Sequence, residues 1–275
     1  MRKGFRMSER AIVVTVDPRA CIGCGQCVED CFPGVLRLND NGVAECVRPC
    51  LECGHCVAVC PSNAVSFDGY DMAEVKPCAV GESSLEPDRL LAAVKSRRSI
   101  RRYLERPLPA DVIADLVEAV RYTPTAANRQ GTRTIVVQER LAEFRALLWE
   151  ELPGVVKRLE AEFPAYAATF AGFLRRREET GSDLLLFDAP AFVVISTSNM
   201  WDAGLAAANL ELVAFAHGAG VLHSGYLKRI VSDSKRLQEW LGVDERGVGC
   251  ALLAGYPAVA YARTAPRRPA DVVMR

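Results

Sequence analysis

The chain has 275 residues, half of them apolar, and equal numbers of Lys/Arg and Asp/Glu residues leave its formal net charge at zero. This composition supplies a substantial core and predicts a globular protein of two domains, which excludes the fibrous and disordered classes. No apolar run reaches the ~20 residues that a transmembrane helix needs, and the charged segment 1–10 precedes an apolar stretch too short for a signal peptide. We therefore expect a cytoplasmic protein that does not bind a membrane.

Eight of the eleven cysteines form two runs near the N-terminus. The first run contains Cys21, Cys24, Cys27 and Cys31. The second run repeats the same opening spacing with Cys50, Cys53, Cys56 and Cys60. Three closely spaced thiolates can hold three corners of a cubane, and the fourth lies one helical turn further on. Zinc sites also use Cys-x-x-Cys pairs, but they use two well-separated pairs. Two evenly spaced quartets favour iron–sulfur clusters.

The spacing resembles that of two-cluster bacterial ferredoxins over residues 10–68, in which the last cysteine of each run completes the other cluster. The resemblance implies two 4Fe–4S clusters. The first would be bound by Cys21, Cys24, Cys27 and Cys60. The second would be bound by Cys50, Cys53, Cys56 and Cys31. Phe32 and the extra thiol of Cys46 depart from the pattern, and we interpret Cys46 as a bystander. Oxygen-sensitive, thiolate-ligated iron also favours a reducing compartment.

A change in composition predicts the domain boundaries. Residues 71–88 contain Pro, Gly and Ser without an apolar period, which is typical of a linker. We therefore predict a cluster domain at 1–70, a linker at 71–88 and a larger domain at 89–275. The larger domain carries 26 Lys/Arg and 21 Asp/Glu residues. This excess of positive charge fits an anionic cofactor, and no basic helix with interleaved aromatic residues indicates nucleic-acid binding.

The larger domain alternates helical and strand patterns. Apolar periodicity predicts a helix around 90–94, with Pro87 near its start, and a second helix at 112–120 that ends before Pro124. Three buried strands are predicted at 134–137, 191–196 and 250–254. The expected fold is an α+β sandwich with a buried sheet. The helix at 200–215 is apolar nearly all round, which predicts burial on every side, either as a central core helix or at a subunit interface.

Residues 96–102 concentrate four arginines and two serines. The segment is either a solvated turn or a phosphate clamp, because the guanidinium group matches the geometry of phosphate oxygens. The order of later motifs favours the clamp. These motifs are residues 124–130, 188–190, 217–220, 224–225, 255–257 and 266–269.

With these motifs in order, the chain resembles the nitroreductase-like FMN-dependent oxidoreductases over residues 89–272. The resemblance implies a nitroreductase-like α+β sandwich that forms a homodimer, with FMN bound at the subunit interface. The residues implied to hold the FMN phosphate and part of the ring edge are Arg97, Arg98, Ser99 and Arg101. Asn128 and Gln130 would bind the ribityl chain and the isoalloxazine. Ser224 and Gly225 would present backbone groups near the reactive N5. Arg267 and Arg268 would return to the phosphate.

No general acid is obvious in the sequence. His223 lies next to the implied N5 region, and Tyr226 is an equal candidate for a proton donor. An aromatic stripe at helical spacing consists of Phe163, Tyr166, Phe170 and Phe173. Packing against the body of the protein is the favoured interpretation of this stripe. The alternative is a lid over the flavin that stacks flat substrates.

A ferredoxin-like domain joined to a flavin domain implies an oxidoreductase that converts between single electrons and electron pairs. We expect electrons to pass through the clusters to FMN and then to a nitroaromatic, quinone or other conjugated small-molecule acceptor. Ferredoxin or another redox protein is a candidate donor, and direct use of NAD(P)H stays open. Two alternatives remain. The flavin acts on one specific metabolite, by carbon–carbon double-bond reduction, desaturation or dehalogenation, or the protein relays electrons to a partner.

Overall fold

The structure is a computed structural model that describes residues 14–78 and 85–275. The chain forms two compact units. Within the described residues, the first unit comprises 14–78 and 127–129, and the second comprises 85–126 and 130–275. The charged segment 1–10 and residues 79–84 of the predicted linker lie outside the described residues.

The first unit is built from two pairs of short antiparallel strands and two short helices. Strand β1 (Val14–Val16) pairs with β4 (Val65–Phe67), and β2 (Leu36–Leu38) pairs with β3 (Ala44–Cys46). Helix α1 (Gln26–Glu29) and helix α2 (His55–Val59) each follow a cysteine loop. Apolar strand residues pack together with cysteine side chains in one small core, so the cysteine loops are anchored to the sheets.

The second unit contains seven helices and four strands in its described residues. The helices are α3 (Pro87–Ser96), α4 (Ala110–Arg121), α5 (Leu141–Glu162), α6 (Pro164–Thr180), α7 (Met200–Ala216), α8 (Gly225–Asp233) and α9 (Lys235–Leu241). The strands are β5 (Arg133–Val137), β6 (Ala191–Ser196), β7 (Gly220–His223) and β8 (Cys250–Gly255). They form an antiparallel sheet in the order β5-β6-β8-β7. Among the described helices, none combines the length and apolarity needed to cross a bilayer.

The alternation of side chains along the sheet creates two cores. Phe192 and Val194 of β6 contribute to the core on one side of the sheet, together with residues of α5, α6, α8 and α9. Val193 and Ile195 contribute to the other core, which includes residues of α4 and α7. Successive residues of a strand point to opposite faces, so a strand buried on both faces is apolar throughout. The predicted α+β sandwich with a buried sheet is confirmed.

Two features of the second unit differ from the sequence-based expectation. Strand β7 was not predicted, because its four residues contain only two large apolar side chains and show no clear period. The helix at 200–215 was predicted to be buried on every side, either as a central core helix or at a subunit interface, and the single chain contradicts the first alternative. In α7, Trp201 is 80% exposed, Leu205 is 48% exposed and Phe215 is 37% exposed. An all-round apolar pattern cannot distinguish burial within a chain from a surface that a partner covers.

Candidate functional site

The first group of cysteines surrounds a small cavity in the first unit. Cys21, Cys24, Cys27 and Cys60 all line this cavity, as the sequence-predicted ligand set requires. Burial raises the pKa of the Cys27 thiol, and the nearby Cys60 and Cys21 raise it further. Gly23 has a φ of +68°, and a side chain there would lie 2.7 Å from the carbonyl oxygen of Gly42. The tight loop between the first two cysteines therefore requires glycine at this position.

The second group brings together the other four predicted ligands. Burial raises the pKa of the Cys56 thiol to about 12, and the neighbouring thiols of Cys50, Cys53 and Cys31 add to the effect. Cys46 also lies near this group, because it contributes to the raised pKa of Cys50. The sulfur of Cys46, however, donates to the carbonyl oxygen of Arg48 at 3.3 Å.

Backbone N–H groups donate to several of the predicted ligand sulfurs. The amide of Val35 donates to Cys31 Sγ at 3.4 Å, and the amide of Ala64 donates to Cys60 Sγ at 3.2 Å. Burial alone would raise the pKa of Cys60, but hydrogen bonds such as the one from the Ala64 amide lower this pKa by more, so that it lies below its ordinary value. Four thiolates with amide donors around them fit a 4Fe–4S cluster, whose potential depends on hydrogen bonds to sulfur. In residues 14–78 and 85–275, no three His, Cys, Asp or Glu side chains are close enough together to hold a single metal ion. A cubane does not require such a group, because each of its four thiolates binds a different iron.

The basic segment after α3 borders a cavity in the second unit. The lining of this cavity includes Arg97, Arg98 and Ile100 of the basic segment, together with Glu211, Gly218 and Gly220. The guanidinium of Arg98 donates to backbone carbonyl oxygens at the end of α3, including Lys95 O at 3.0 Å and Arg97 O at 2.7 Å. These bonds satisfy carbonyls that a helix end leaves unpaired. Ser99 and Arg101 follow in the same segment and are exposed.

The late basic residues lie apart from this cavity lining. Arg98 also donates to the carbonyl oxygen of Arg263 at 3.0 Å, and its guanidinium lies 5.9 Å from the ring centre of Tyr261, which lines the cavity. Arg267 donates to the carbonyl oxygen of Pro266. Arg267 and Arg268 are both exposed. The C-terminal segment therefore contributes Tyr261 to the cavity beside Arg98, whereas Arg267 and Arg268 are not among the residues that line it.

The predicted ribityl-binding residues lie in a segment of unusual backbone. Ala127, Asn128 and Gln130 all have positive φ values, of 52°, 50° and 48°. Such left-handed conformations of residues other than glycine are unfavourable and concentrate at functional sites. Asn128 groups with the first unit, where its Nδ2 donates to the carbonyl oxygen of Glu52 at 2.7 Å. In the second unit, the amide of Gln130 donates to Thr125 Oγ1 at 3.0 Å.

The junction of β7 and α8 presents the predicted N5-contacting residues. Ser224 is buried and caps α8, because its Oγ accepts from the amide of Leu227 at 3.2 Å. A side chain at Gly225 would meet no atom within 4 Å, so there is open space beside this backbone. The adjacent Tyr226 is 43% exposed. The backbone at Gly225 is therefore open to solvent beside a buried helix cap.

The aromatic stripe of α6 packs around Tyr226. The ring centre of Tyr226 lies 6.2 Å from that of Tyr166, 5.7 Å from that of Phe170 and 5.4 Å from that of Phe173. Phe170 is completely buried. Edge-to-face contacts of this kind are favourable for aromatic pairs. The stripe therefore packs against the body of the unit and fixes the ring of Tyr226 at the surface.

Glu211 is the functional candidate that the sequence-based reasoning missed. It lies on α7, lines the cavity and is only 7% exposed. Its Oε1 is 3.3 Å from Arg97 Nη1, and its Oε2 is 3.4 Å from His223 Nε2. The sequence does contain a signal for this residue, because Glu211 is the one charged residue in the run 203–216. The two arginines of the cavity lining, Arg97 and Arg98, supply the positive charge that an anionic cofactor needs.

Known proteins match both units. The family model described as "Nitroreductase family" matches residues 94–256, and the model described as "4Fe-4S dicluster domain" matches residues 13–61. A nitroreductase with bound FMN from Bacteroides fragilis NCTC 9343 is similar in structure, with a TM-score of 0.54 and 22% identity. A nitroreductase with bound FMN from Desulfitobacterium hafniense DCB-2 has a TM-score of 0.53 and 20% identity. Each alignment covers 67% of this chain and 98% of the other.

At these identities the two solved structures show a shared fold. No curated protein gives a significant match to the chain. The family model of the nitroreductases, in contrast, spans more than half of the 275 residues. The chain therefore belongs to the nitroreductase family and carries a 4Fe–4S dicluster domain ahead of its nitroreductase domain.

Proposed function

We propose that the protein is an FMN-dependent oxidoreductase in which two 4Fe–4S clusters pass electrons to FMN for the reduction of a conjugated small molecule, such as a nitroaromatic or a quinone. The observation that carries the proposal is the arginine-bordered cavity in the unit that matches the nitroreductase family, in a chain that also gathers two groups of four cysteines. Bound FMN supplies chemistry that exchanges electrons singly or in pairs. The bound FMN of the two similar nitroreductases supports this choice of cofactor.

The proposed FMN contacts are those implied by the sequence. Arg97, Arg98, Ser99 and Arg101 would hold the phosphate and part of the ring edge, with Arg267 and Arg268 as a later basic pair. Asn128 and Gln130 would bind the ribityl chain and the ring. Ser224 and Gly225 would face N5. The buried cap at Ser224 and the open space at Gly225 support the last assignment.

The proposed assembly is a homodimer. Trp201, Leu205 and Phe215 form an exposed apolar side of α7, and large apolar surfaces of this kind mark interaction sites on proteins. A second copy of the chain would cover this side. The proposed domain boundaries are 1–70, 71–88 and 89–275. The proposed compartment is the cytoplasm, because thiolate-ligated iron is favoured by reducing conditions.

A direct acceptor is favoured over simple electron relay to a partner protein. The space beside Gly225 is open, and the neighbouring ring of Tyr226 is exposed yet held by three aromatic rings. A fixed aromatic face can stack a flat acceptor at low entropic cost. A relay protein has no need of such a surface.

Anaerobic purification followed by turnover assays tests this function. We expect about eight irons and eight sulfides per chain from two cubanes, together with one FMN. Turnover of a panel of nitroaromatics and quinones is then compared with reduced ferredoxin, NADH or NADPH as the donor. Zinc in place of iron, or an apoprotein that does not bind FMN, would contradict the proposal. Reaction with protein acceptors alone would favour the relay.

A further inference from the structure

A buried carboxylate joins two cationic or ionisable side chains at the cavity. The side chain of Glu211 is only 9% exposed, and its two oxygens contact different partners, Arg97 at 3.3 Å and His223 at 3.4 Å. A buried charge is tolerated in proteins when partners compensate it. The contact with Arg97 involves one oxygen only, Oε1. The second oxygen, Oε2, lies 3.4 Å from Nε2 of His223, a contact that favours one orientation of the imidazole.

His223 has a rigid backbone and an accessible side chain. It is the last residue of β7 and pairs with Leu252 of β8. Its side chain is 42% exposed, so the imidazole can exchange protons with solvent. It directly precedes Ser224 and Gly225. An imidazole that contacts Glu211 and lies next to the proposed ring-binding backbone has the placement that a proton donor needs.

Delivery of electrons through clusters creates a specific chemical requirement. A hydride donor transfers two electrons together with a proton, whereas an iron–sulfur cluster transfers an electron alone. Reduction of the flavin to its reduced anion takes two electrons and one proton. The clusters supply only the two electrons, and a one-electron donor protein then reduces the clusters again. That proton has to come from the protein or from water. A cluster-fed flavin site thus benefits from a proton donor that a hydride-fed site does not need for the same step.

We propose that His223 is this proton donor and that Glu211 is the residue that positions it, an inference that rests on the proposed function above. The imidazolium of His223 gives its proton to the flavin N5 as two electrons arrive from the clusters. The resulting neutral imidazole regains a proton from solvent. Glu211 contacts the ring at Nε2, so Nδ1 is the nitrogen that gives the proton. The other carboxylate oxygen contacts Arg97, which lines the cavity.

The contact itself can be tested in the FMN-free protein by NMR of the imidazole nitrogens. The chain has only three histidines, which simplifies assignment. Glu211→Gln should shift the ring nitrogen signals of His223 and leave those of His217 in place. Asp115→Asn is the matched control, because Asp115 Oδ2 lies 2.8 Å from His217 Nε2. It should produce the reverse pattern. Signals of His223 that do not respond to Glu211→Gln would overturn the positioning role.

The proton transfer is tested by flash photoreduction of the clusters under anaerobic conditions, with FMN saturating and its occupancy checked by absorbance. Flavin bleaching in His223→Ala should be roughly 100-fold slower than in the wild type, the lower range for loss of a positioned acid. Added imidazole should restore part of the rate. Glu211→Gln should slow bleaching by a smaller factor, because the donor remains, and Asp115→Asn should not slow it.

The two hypotheses fail in different ways. A wild-type protein that binds no FMN, or whose flavin is never reduced after the clusters, would contradict the proposed function. Full FMN occupancy with equal bleaching rates in the wild type and His223→Ala would overturn the proton-donor role alone. A slow His223→Ala variant that imidazole fails to rescue would likewise count against proton transfer.

Discussion

The residues of the second cysteine group differ in what their sulfurs contact. Cys50 Sγ accepts from the amide of Glu52 at 3.2 Å, as expected of a sulfur that carries negative charge in a cluster. Cys46 Sγ instead donates to the carbonyl of Arg48, although it lies near Cys50. A carbonyl partner suits a protonated thiol and disfavours a thiolate. This difference supports the prediction that Cys50 is a cluster ligand and Cys46 a bystander.

Replacement of single cysteines tests the ligand assignment. Cys60→Ser removes a thiolate that lines the first cavity, so the iron content should fall from about eight to about four per chain. Cys46→Ser is the control and should leave the iron content unchanged. Iron and acid-labile sulfide are measured after anaerobic purification. Equal losses in both variants would show that Cys46 is a ligand.

The guanidinium of Arg98 is expected to contribute to flavin affinity. Arg98→Ala should weaken FMN binding by about 1.5–3 kcal/mol, the usual contribution of a hydrogen bond to a charged group. Arg102→Ala removes the same charge from an exposed position in the same segment and should have a much smaller effect. The dissociation constants are measured by quenching of FMN fluorescence on titration with apoprotein. Similar losses in both variants would indicate general attraction by the basic segment.

At the scale of elements, the exposed side of α7 determines the proposed assembly. Leu205→Glu places a charge on this apolar side and should shift the dimer toward monomer, because an unpaired charge is costly to bury at an interface. Leu104→Glu is a matched control, since Leu104 is 46% exposed and Leu205 is 48% exposed. Light scattering after size-exclusion chromatography gives the mass of each variant. A dimer that tolerates Leu205→Glu would place the interface elsewhere.

The packing of α6 predicts a different consequence for its aromatic stripe. Phe170 is fully buried and contacts the ring of Tyr226, so Phe170→Ala should lower the free energy of unfolding by about 3–5 kcal/mol. Tyr122→Ala, at a position that is 68% exposed, should change it by less than about 0.5 kcal/mol. Denaturant unfolding followed by circular dichroism measures both. A Phe170→Ala variant with unchanged stability but altered acceptor turnover would restore the lid hypothesis.

At the scale of the whole molecule, a mutation in the first unit should remove electron transfer through the clusters and leave the reaction of the flavin with the acceptor intact. Cys53→Ser removes one ligand of the second group, so a variant that keeps FMN should lose turnover driven by reduced ferredoxin. Chemically reduced flavin in the same variant should still react with the acceptor, because the residues proposed to bind the acceptor belong to the other unit. Rates with both donors are measured anaerobically. Ferredoxin-driven rates equal to those of the wild type would show that electrons bypass the clusters.

The sequence by itself determined the features that depend on short spacing. Cysteines two residues apart on one loop meet for local geometric reasons, and apolar runs such as 191–196 predict buried strands wherever the chain later places them. The order of weak motifs likewise identified the family that the family model confirms.

Only the tertiary structure decided which distant groups meet. Arg97 and Glu211 are 114 residues apart in sequence, and no local pattern predicts their contact or the approach of His223. The exposed side of α7 and the docking of the α6 stripe on Tyr226 also depend on which surfaces the sheet and neighbouring helices cover. The physical reason is that periodicity records the burial preference of each side chain, whereas contacts across the chain depend on how whole elements pack.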